Sequence, residues 1–479
     1  MTISNVQSLT SYLPELIVVL SILAVFITES VPTYGRVTFL VACIGLIFSA
    51  IFLLWLPSVN GGLFEGMIVH DPFAIYFKWI ILLSTLSIIL VSRDDKSILN
   101  SVKGEYYGML LIIMLGMFAM VSAKNLLMVY LSIEMVSIPS YIIAGISKND
   151  RESNEASLKY VIYGSFASGI MLFGLSILYG ISGSTDIDLV AKSVMNFDSP
   201  LALYIAMLFI LVGFGYKISM VPFHYWTPDV YQGAPITVTA FLSVAPKAAG
   251  LAILIRFFYS VFVMDGEIIE WTKLIAVLSA LTMTVGNILA LKQSNIKRLL
   301  AYSSISHVGF MLIAFCVITT TSIASILFYL FFYIFMNLGA FYMAIYMSNA
   351  YDADNIDDWN GIGKKAPILS FFMVLSLASL AGLPPTSGFV GKFYVLTNLF
   401  IAEKFMWLAV VAIINSVISL YYYFKIVKAM YFMDNDNLET KPCNNILYYS
   451  IILFSLQNII FYVYWSDLWL MIEGVVKNV

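Results

Sequence analysis

From Tyr12 to Leu470 this chain is a succession of apolar stretches of about 17–25 residues, about fourteen in all. Short polar interruptions part them, and each is long enough for a bilayer core of roughly 30 Å. In lipid a segment of that kind satisfies its backbone hydrogen bonds by coiling on itself, so the chain reads as an all-α, polytopic membrane protein. Composition agrees: 61% of residues are hydrophobic and 11% charged, which leaves too little polar surface for a soluble globule, and no large soluble domain fits. The first stretch, Leu13 to Glu29, lacks a basic n-region and a small-residue cleavage site and reads as a retained span.

Against that background Glu134, Lys217, Lys247 and Lys392 stand out, because they lie in the interior of apolar runs. By one insertion scale a charge at a helix centre costs roughly 2.5–3.5 kcal/mol, and a residue kept at that cost has a use. Deep burial brings an ordinarily permanent ammonium cation, by up to about 3–5 pKa units, into the range where it releases a proton near neutral pH. A nearby carboxylate reverses that. At an effective dielectric of about 20 and a separation of about 7 Å, a Glu–Lys pair interacts by roughly 2.4 kcal/mol, about 1.7 pKa units, so opening or closing it switches proton affinity. Moving one proton against a membrane potential costs about 2.3 kcal/mol per 100 mV, which a row of coupled lysines supplies with margin.

Two segments resist being ordinary helices. In Gly213–Pro235 glycines and prolines interrupt an apolar run beside Lys217, and in Ala381–Lys392 two prolines and three glycines precede the lysine. Both read as broken membrane helices, and unwound backbone at membrane depth is tolerated only inside protein or beside a water-filled cavity. Each break would be the fourth span of a five-span unit, roughly Glu105–Tyr259 and Trp271–Phe432. Lys247 follows Pro246, whose ring leaves a carbonyl without its intrahelical donor. Lys159 stands near a span start and reads either as a relay residue or as a basic residue of the loop side. His307, in Ser303–Gly309, reads either as a hydrogen-bonded core histidine or as a proton carrier. Lys78 and Arg256, near span ends, read as snorkelling cations.

Cys43, Cys316 and Cys443 are far apart and form neither an iron–sulfur ligand set nor a disulfide framework. Of the histidines only His307 lies deep in a span, which disfavours haem ligation, and no GxGxxG or GxxxxGK[ST] string offers a nucleotide site. Any redox cofactor belongs to a partner. One set of loops carries Arg36, Arg93, Lys96, Lys103, Lys148, Arg151, Lys159, Lys292, Lys297, Arg298, Lys364, Lys365, Lys428 and Lys441, the other chiefly Lys124, Lys192, Lys273, Lys404 and Lys477, and the bias places the first set in the cytoplasm with both termini outside. Trp55, Trp79, Trp271, Trp407, Trp465 and Trp469, near span ends, read as interfacial anchors.

The strings Ile133–Tyr141, Lys217–Pro235, Phe241–Lys247, Lys297–Gly309 and Leu380–Tyr394 closely resemble the antiporter-like membrane subunits of bacterial NADH:quinone oxidoreductase, respiratory complex I. Within that family Glu-x-x-Ser-Ile-Pro and the Phe-Tyr after Lys392 resemble the subunit N group more than subunits L and M or the Mrp-type sodium/proton antiporters. The resemblance implies N-terminal helices over 1–104, inverted five-helix repeats over 105–260 and 261–433, and a C-terminal transmembrane helix over 434–479. It also implies a hydrophilic axis at mid-membrane. On it Glu134 and Lys217 match the family's carboxylate–lysine pair, Lys247 its central lysine, Lys392 the residue of the second half-channel, and His307 a histidine between them. NADH, FMN, iron–sulfur clusters and quinone are then held by the other membrane-arm and peripheral-arm subunits, with none on this chain, in a bacterial inner membrane. Gln232 stands where many relatives have glutamate, which removes a loop charge and leaves the relay intact. A stand-alone or Mrp-type antiporter and a structural membrane-arm spacer are the competing readings. The first would exchange sodium when reconstituted by itself, and the second would tolerate neutral residues at 134, 217, 247 and 392.

Overall fold

The computed structural model describes residues 5–30, 35–59, 61–99, 102–197, 199–263, 271–435 and 441–477. A short helix, α1 (Asn5–Ser11), bends 73° into α2 (Leu13–Glu29), and α3 (Gly35–Trp55) follows. A two-residue hairpin, β1 (Gly62–Leu63) with β2 (Ile68–Val69), leads into α4 (Pro72–Ser92). The next helices are α5 (Lys103–Ser122), α6 (Leu126–Ala144), α7 (Arg151–Ser182), α8 (Ile187–Met195), α9 (Pro200–Ile218), α10 (Trp226–Gly233) and α11 (Ile236–Phe262). Then come α12 (Trp271–Leu291), α13 (Ile296–Phe315), α14 (Thr320–Tyr351), α15 (Ile362–Lys365), α16 (Pro367–Ala381), α17 (Ser387–Ile401) and α18 (Met406–Phe432). The last are α19 (Asn445–Val463) and α20 (Trp465–Val476). Among the described residues twelve helices are long and apolar enough to cross a bilayer. The α1–α2 pair, and α16 with α17 around their break, supply the rest of the apolar length that sequence reading divides into about fourteen spans.

Polar punctuation fixes where these helices start. Asp71, Asn125, Asp150, Asp186, Asn295, Thr319 and Asn444 each accept a backbone N–H of the first turn they precede, satisfying donors that the helix leaves open. The long membrane-crossing helices are apolar over most of their surface, so burial sorts them. The stretch 236–255 of α11 is buried throughout, as are nearly all of α13 and α14, while α3, α18 and α19 present Phe48, Val417 and Leu453 outward as a lipid-facing shell. Of the tryptophans read as interfacial anchors, Trp55, Trp407 and Trp465 are exposed. Trp271 is fully buried, packed between Phe258 of α11 and Phe315 of α13, so its ring closes the core at that end.

Matching features recur in two series of helices. Helices α7 and α14 are 32 residues each, and α11 and α18 are 27 each. Leu126 N, after the capping Asn125, donates to Thr185 O at 2.8 Å, and Ile296 N, after the capping Asn295, donates to Asp354 O at 2.8 Å. Both expected breaks are present and end alike. After α9, Ser219 is left-handed (φ +64°) and Met220 N reaches back to Gly215 O at 2.8 Å. After α16, Gly382 is left-handed (φ +81°) and Leu383 N reaches Ala378 O at 3.0 Å. This is the Schellman closure, and it ends each half-helix with its last carbonyls aimed into the protein.

Candidate functional site

The two breaks set the lysines. Lys217 lies in the last turn of α9, where the negative end of the helix dipole favours a cation, and it is 3% exposed. Its ammonium donates to Ser137 Oγ of α6 at 3.0 Å. Glu134, half-buried on α6 one turn before Ser137, acts electrostatically on Lys217 without a direct ion pair. Pro139 on the same helix leaves the Met135 carbonyl, next to Glu134 in the chain, without its usual backbone donor.

The stem of Lys217 packs on Gly250 of α11, where an added Cβ would lie 3.4 Å from Lys217 Cγ; the absent side chain lets α9 approach the helix of Lys247. Lys247, 1% exposed, donates to Ser304 Oγ of α13 at 2.6 Å and faces the Tyr231 ring at 5.5 Å, a cation–π contact. One turn on along α13, His307 is bonded through Nδ1 to the Tyr329 hydroxyl at 2.6 Å and through Nε2 to the Tyr423 hydroxyl at 3.2 Å. Tyr423 in turn bonds Ser303 Oγ. On α13 His307 lies between Ser304, which holds the Lys247 ammonium, and Phe310, on whose ring the Lys392 ammonium sits. Lys392, 5% exposed, spans the second break. Its ammonium donates to the carbonyls of Leu380 (3.1 Å) and Ala381 (2.9 Å), the C-terminus of α16, and sits over the Phe310 ring at 4.7 Å.

Ser304, His307 and Phe310 recur every three residues, so one face of α13 runs from the Lys247 ammonium to the Lys392 ammonium. Every one of these ammonium groups has a polar partner, and each is enclosed by protein. The seat of each is a helix end, a serine or an aromatic face.

Lys159 stands apart. Its side chain is 36% exposed at the end that carries the basic loops, and it pairs with Glu155 Oε1 at 2.8 Å and Asp229 Oδ2 at 2.6 Å. Asp229 Oδ1 also takes Arg298 Nη1 at 2.6 Å, and Gln232 Oε1 accepts from Arg298 at 3.1 Å. These groups line a cavity of about 150 Å³. Gln232 thus lies on α10 and lines a polar mouth, a placement the loop reading of this segment did not include.

Lys78 and Arg256 do not snorkel. Lys78, 2% exposed, pairs with the fully buried Glu15 at 2.6 Å, and Arg256 grips Asp71 through two bonds of 2.7 and 2.8 Å. Burial, and then the Lys78 charge, push the His70 imidazole from its ordinary 6.5 down to about 4. A depressed pKa means that the unfolded segment takes up the proton first, so stability held above pH 6.5 is lost as pH falls toward 4. Opening of the β1–β2 hairpin, which leads directly into His70, should rise by up to about tenfold per pH unit in that window. Amide exchange over residues 62–69 measures it, and His70→Gln should flatten the profile.

Comparison with known proteins places the chain in a family. The family described as NADH:quinone oxidoreductase/Mrp antiporter, transmembrane, matches residues 123–419. NADH-quinone oxidoreductase subunit N 2 of Chloroherpeton thalassium is 42% identical over 461 residues, covering 93% of this chain and 90% of that protein. Subunit N of Anaeromyxobacter sp. is 38% identical over 497 residues, covering 97% and 96%. A chain of respiratory complex I from Thermus thermophilus superposes with a TM-score of 0.79 at 27% identity, over 94% of this chain and 96% of that one. The chain therefore belongs to the NADH:quinone oxidoreductase/Mrp antiporter transmembrane family, among its subunit N members.

Proposed function

We propose that this chain is a proton-translocating membrane-arm subunit of NADH:quinone oxidoreductase, in which electron transfer from NADH to quinone in other subunits drives protons through Glu134, Lys217, Lys247, His307 and Lys392. The observation that carries the reading is the face of α13, where Ser304 holds the Lys247 ammonium, His307 follows, and Phe310 seats the Lys392 ammonium.

Protons enter at the basic end, through the polar mouth of Lys159, Glu155, Asp229 and Arg298. That end faces the cytoplasm, since loop lysines and arginines are retained there, and both termini lie outside. Glu134 moving toward or away from Lys217 changes that lysine's hold on its proton. The proton passes to Lys247 across the close contact at Gly250, then along α13 past His307 to Lys392. Asn398, further along α17 and donating to Ser325 Oγ at 2.7 Å, continues the polar line toward release. The recurring helix lengths, caps and closures support two inverted repeats, 105–260 and 261–433, each with one broken helix. Residues 1–104 precede them, and residues 434–479 carry α19 and α20.

The purified complex in sealed vesicles should acidify the side of release on addition of NADH and quinone, at the same rate with or without sodium. Sodium/proton exchange by this chain reconstituted alone would instead favour the antiporter reading.

A further inference from the structure

Away from the axis, the end opposite the basic loops holds a second buried acid–base group. Glu15 in the first turn of α2 is fully buried, Lys78 in the second turn of α4 is 2% exposed, and His70 just before α4 is 1% exposed. Glu15 Oε1 lies 2.6 Å from Lys78 Nζ, which lies 3.3 Å from His70 Nδ1. Three titratable side chains from three chain segments meet there. Tyr12 faces Glu15, the Phe118 ring lies 5.9 Å from the ammonium, and Asp71 acts on both His70 and Lys78. Asp71 is neutralised in turn by Arg256 on α11, the helix of Lys247. Within the group, one acid therefore faces one base, and burial together with the Lys78 charge disfavours protonation of the imidazole.

A brace between α2 and α4 does not need this chemistry, because an apolar pair of similar volume closes two helices at least as well as a buried ion pair. Nor does a brace need a third titratable member. The His70 ring accepts from the ammonium at Nδ1, while its buried Nε2 makes no hydrogen bond of good geometry among the described residues, the Leu56 backbone lying near the ring. His70 follows directly on the β1–β2 hairpin; its carbonyl takes Val59 N at 2.9 Å, and Ser8 of α1 accepts Phe64 N, between the two strands, at 3.2 Å.

We propose that Glu15, Lys78 and His70 form a second proton-exchanging site, through which protons pass to the aqueous phase at the end opposite the basic loops. This rests on the proton-translocation reading above. In the step, an Nζ–H bond of Lys78 breaks as an Nδ1–H bond forms on His70, giving an amine and an imidazolium. The imidazolium then gives its Nε2 proton to water and turns over to its starting tautomer. A hydronium ion arriving from the translocation line then gives its proton to the amine beside the Glu15 carboxylate, leaving water and restoring the ammonium. A histidine suits the task because its two nitrogens let a proton enter at one and leave at the other.

The test uses the assembled complex in NADH-energised membrane vesicles, with Lys78→Arg and His70→Gln. Arginine keeps the ion pair to Glu15, so a bracing role survives. Its pKa lies two or more units above that of lysine, so proton release slows by about 100-fold and the proton yield per NADH collapses. Glutamine leaves the Glu15–Lys78 pair intact while removing the titrating ring, and the same loss is expected. Wild-type proton yield in both assembled variants overturns the proposal, and if Lys78→Arg fails to assemble, His70→Gln alone decides. Lys217→Ala serves as the reference. Pumping retained there rejects the translocation reading as a whole, whereas pumping lost there with full yield in the two new variants overturns this inference alone.

Discussion

Replacing Lys217 by alanine abolishes proton translocation while the complex still assembles. The expectation follows from what the side chain touches. Its ammonium meets Ser137 and the field of Glu134, and its stem rests on Gly250, three residues from Lys247 on α11. Removing it disconnects the carboxylate from the rest of the line. The structural cost is small, because no stranded partner remains: Ser137 Oγ already donates to Ile133 O at 2.7 Å, and Glu134 is half-buried without a direct ion pair to Lys217. Alanine also leaves no buried charge, so the folding penalty is that of lost packing alone. Proton pulses in NADH-energised vesicles, alongside a native gel for assembly, measure the outcome. Full proton yield per NADH rejects the role given to this lysine.

Substituting Gly388 by alanine collapses the second break. A Cβ there overlaps the backbone carbonyl oxygen of Ser379, which no side-chain rotation relieves, and Gly388 N already accepts no slack, donating to Ser379 Oγ at 3.1 Å. Overpacking of this kind costs about 1–3 kcal/mol or more, because backbone must move. The movement separates α16 from α17, and Lys392, one turn after Gly388 on α17, loses the Leu380 and Ala381 carbonyls that hold its ammonium. Lower thermal stability of the complex and loss of pumping are expected together. A variant with wild-type melting and wild-type proton yield would mean that the break is not held as described.

How much of this was legible in the residues depends on distance along the chain. The apolar runs, the two breaks and the four mid-span charges are local signals, written in composition, in Gly and Pro spacing and in isolated charge, and each has its counterpart in the fold. The partners of those charges are not local. Ser137, Ser304, Tyr329 and Tyr423 look like ordinary polar fillers until helices far apart in sequence meet. Lys78 and Arg256 sit near span ends, where snorkelling is the usual fate of a cation. Only the packing of α2 on the rest of the bundle and of α11 on α4 delivers Glu15 and Asp71 to them. The hairpin of β1 and β2 is too short for a period-two pattern, and Trp271 reads as an anchor until α11 and α13 close on both its sides.

The account stands on protons hopping between titratable groups along one enclosed line, and the most direct measurement is the position of ordered water around that line in a high-resolution cryo-EM map of the assembled complex. Water joining Lys217 to Lys247, and Lys247 through His307 to Lys392, with branches to the polar mouth at Asp229 and past Asn398, is the result expected. Three ammonium groups each closed off by apolar side chains, with no water between any neighbouring pair, would contradict it.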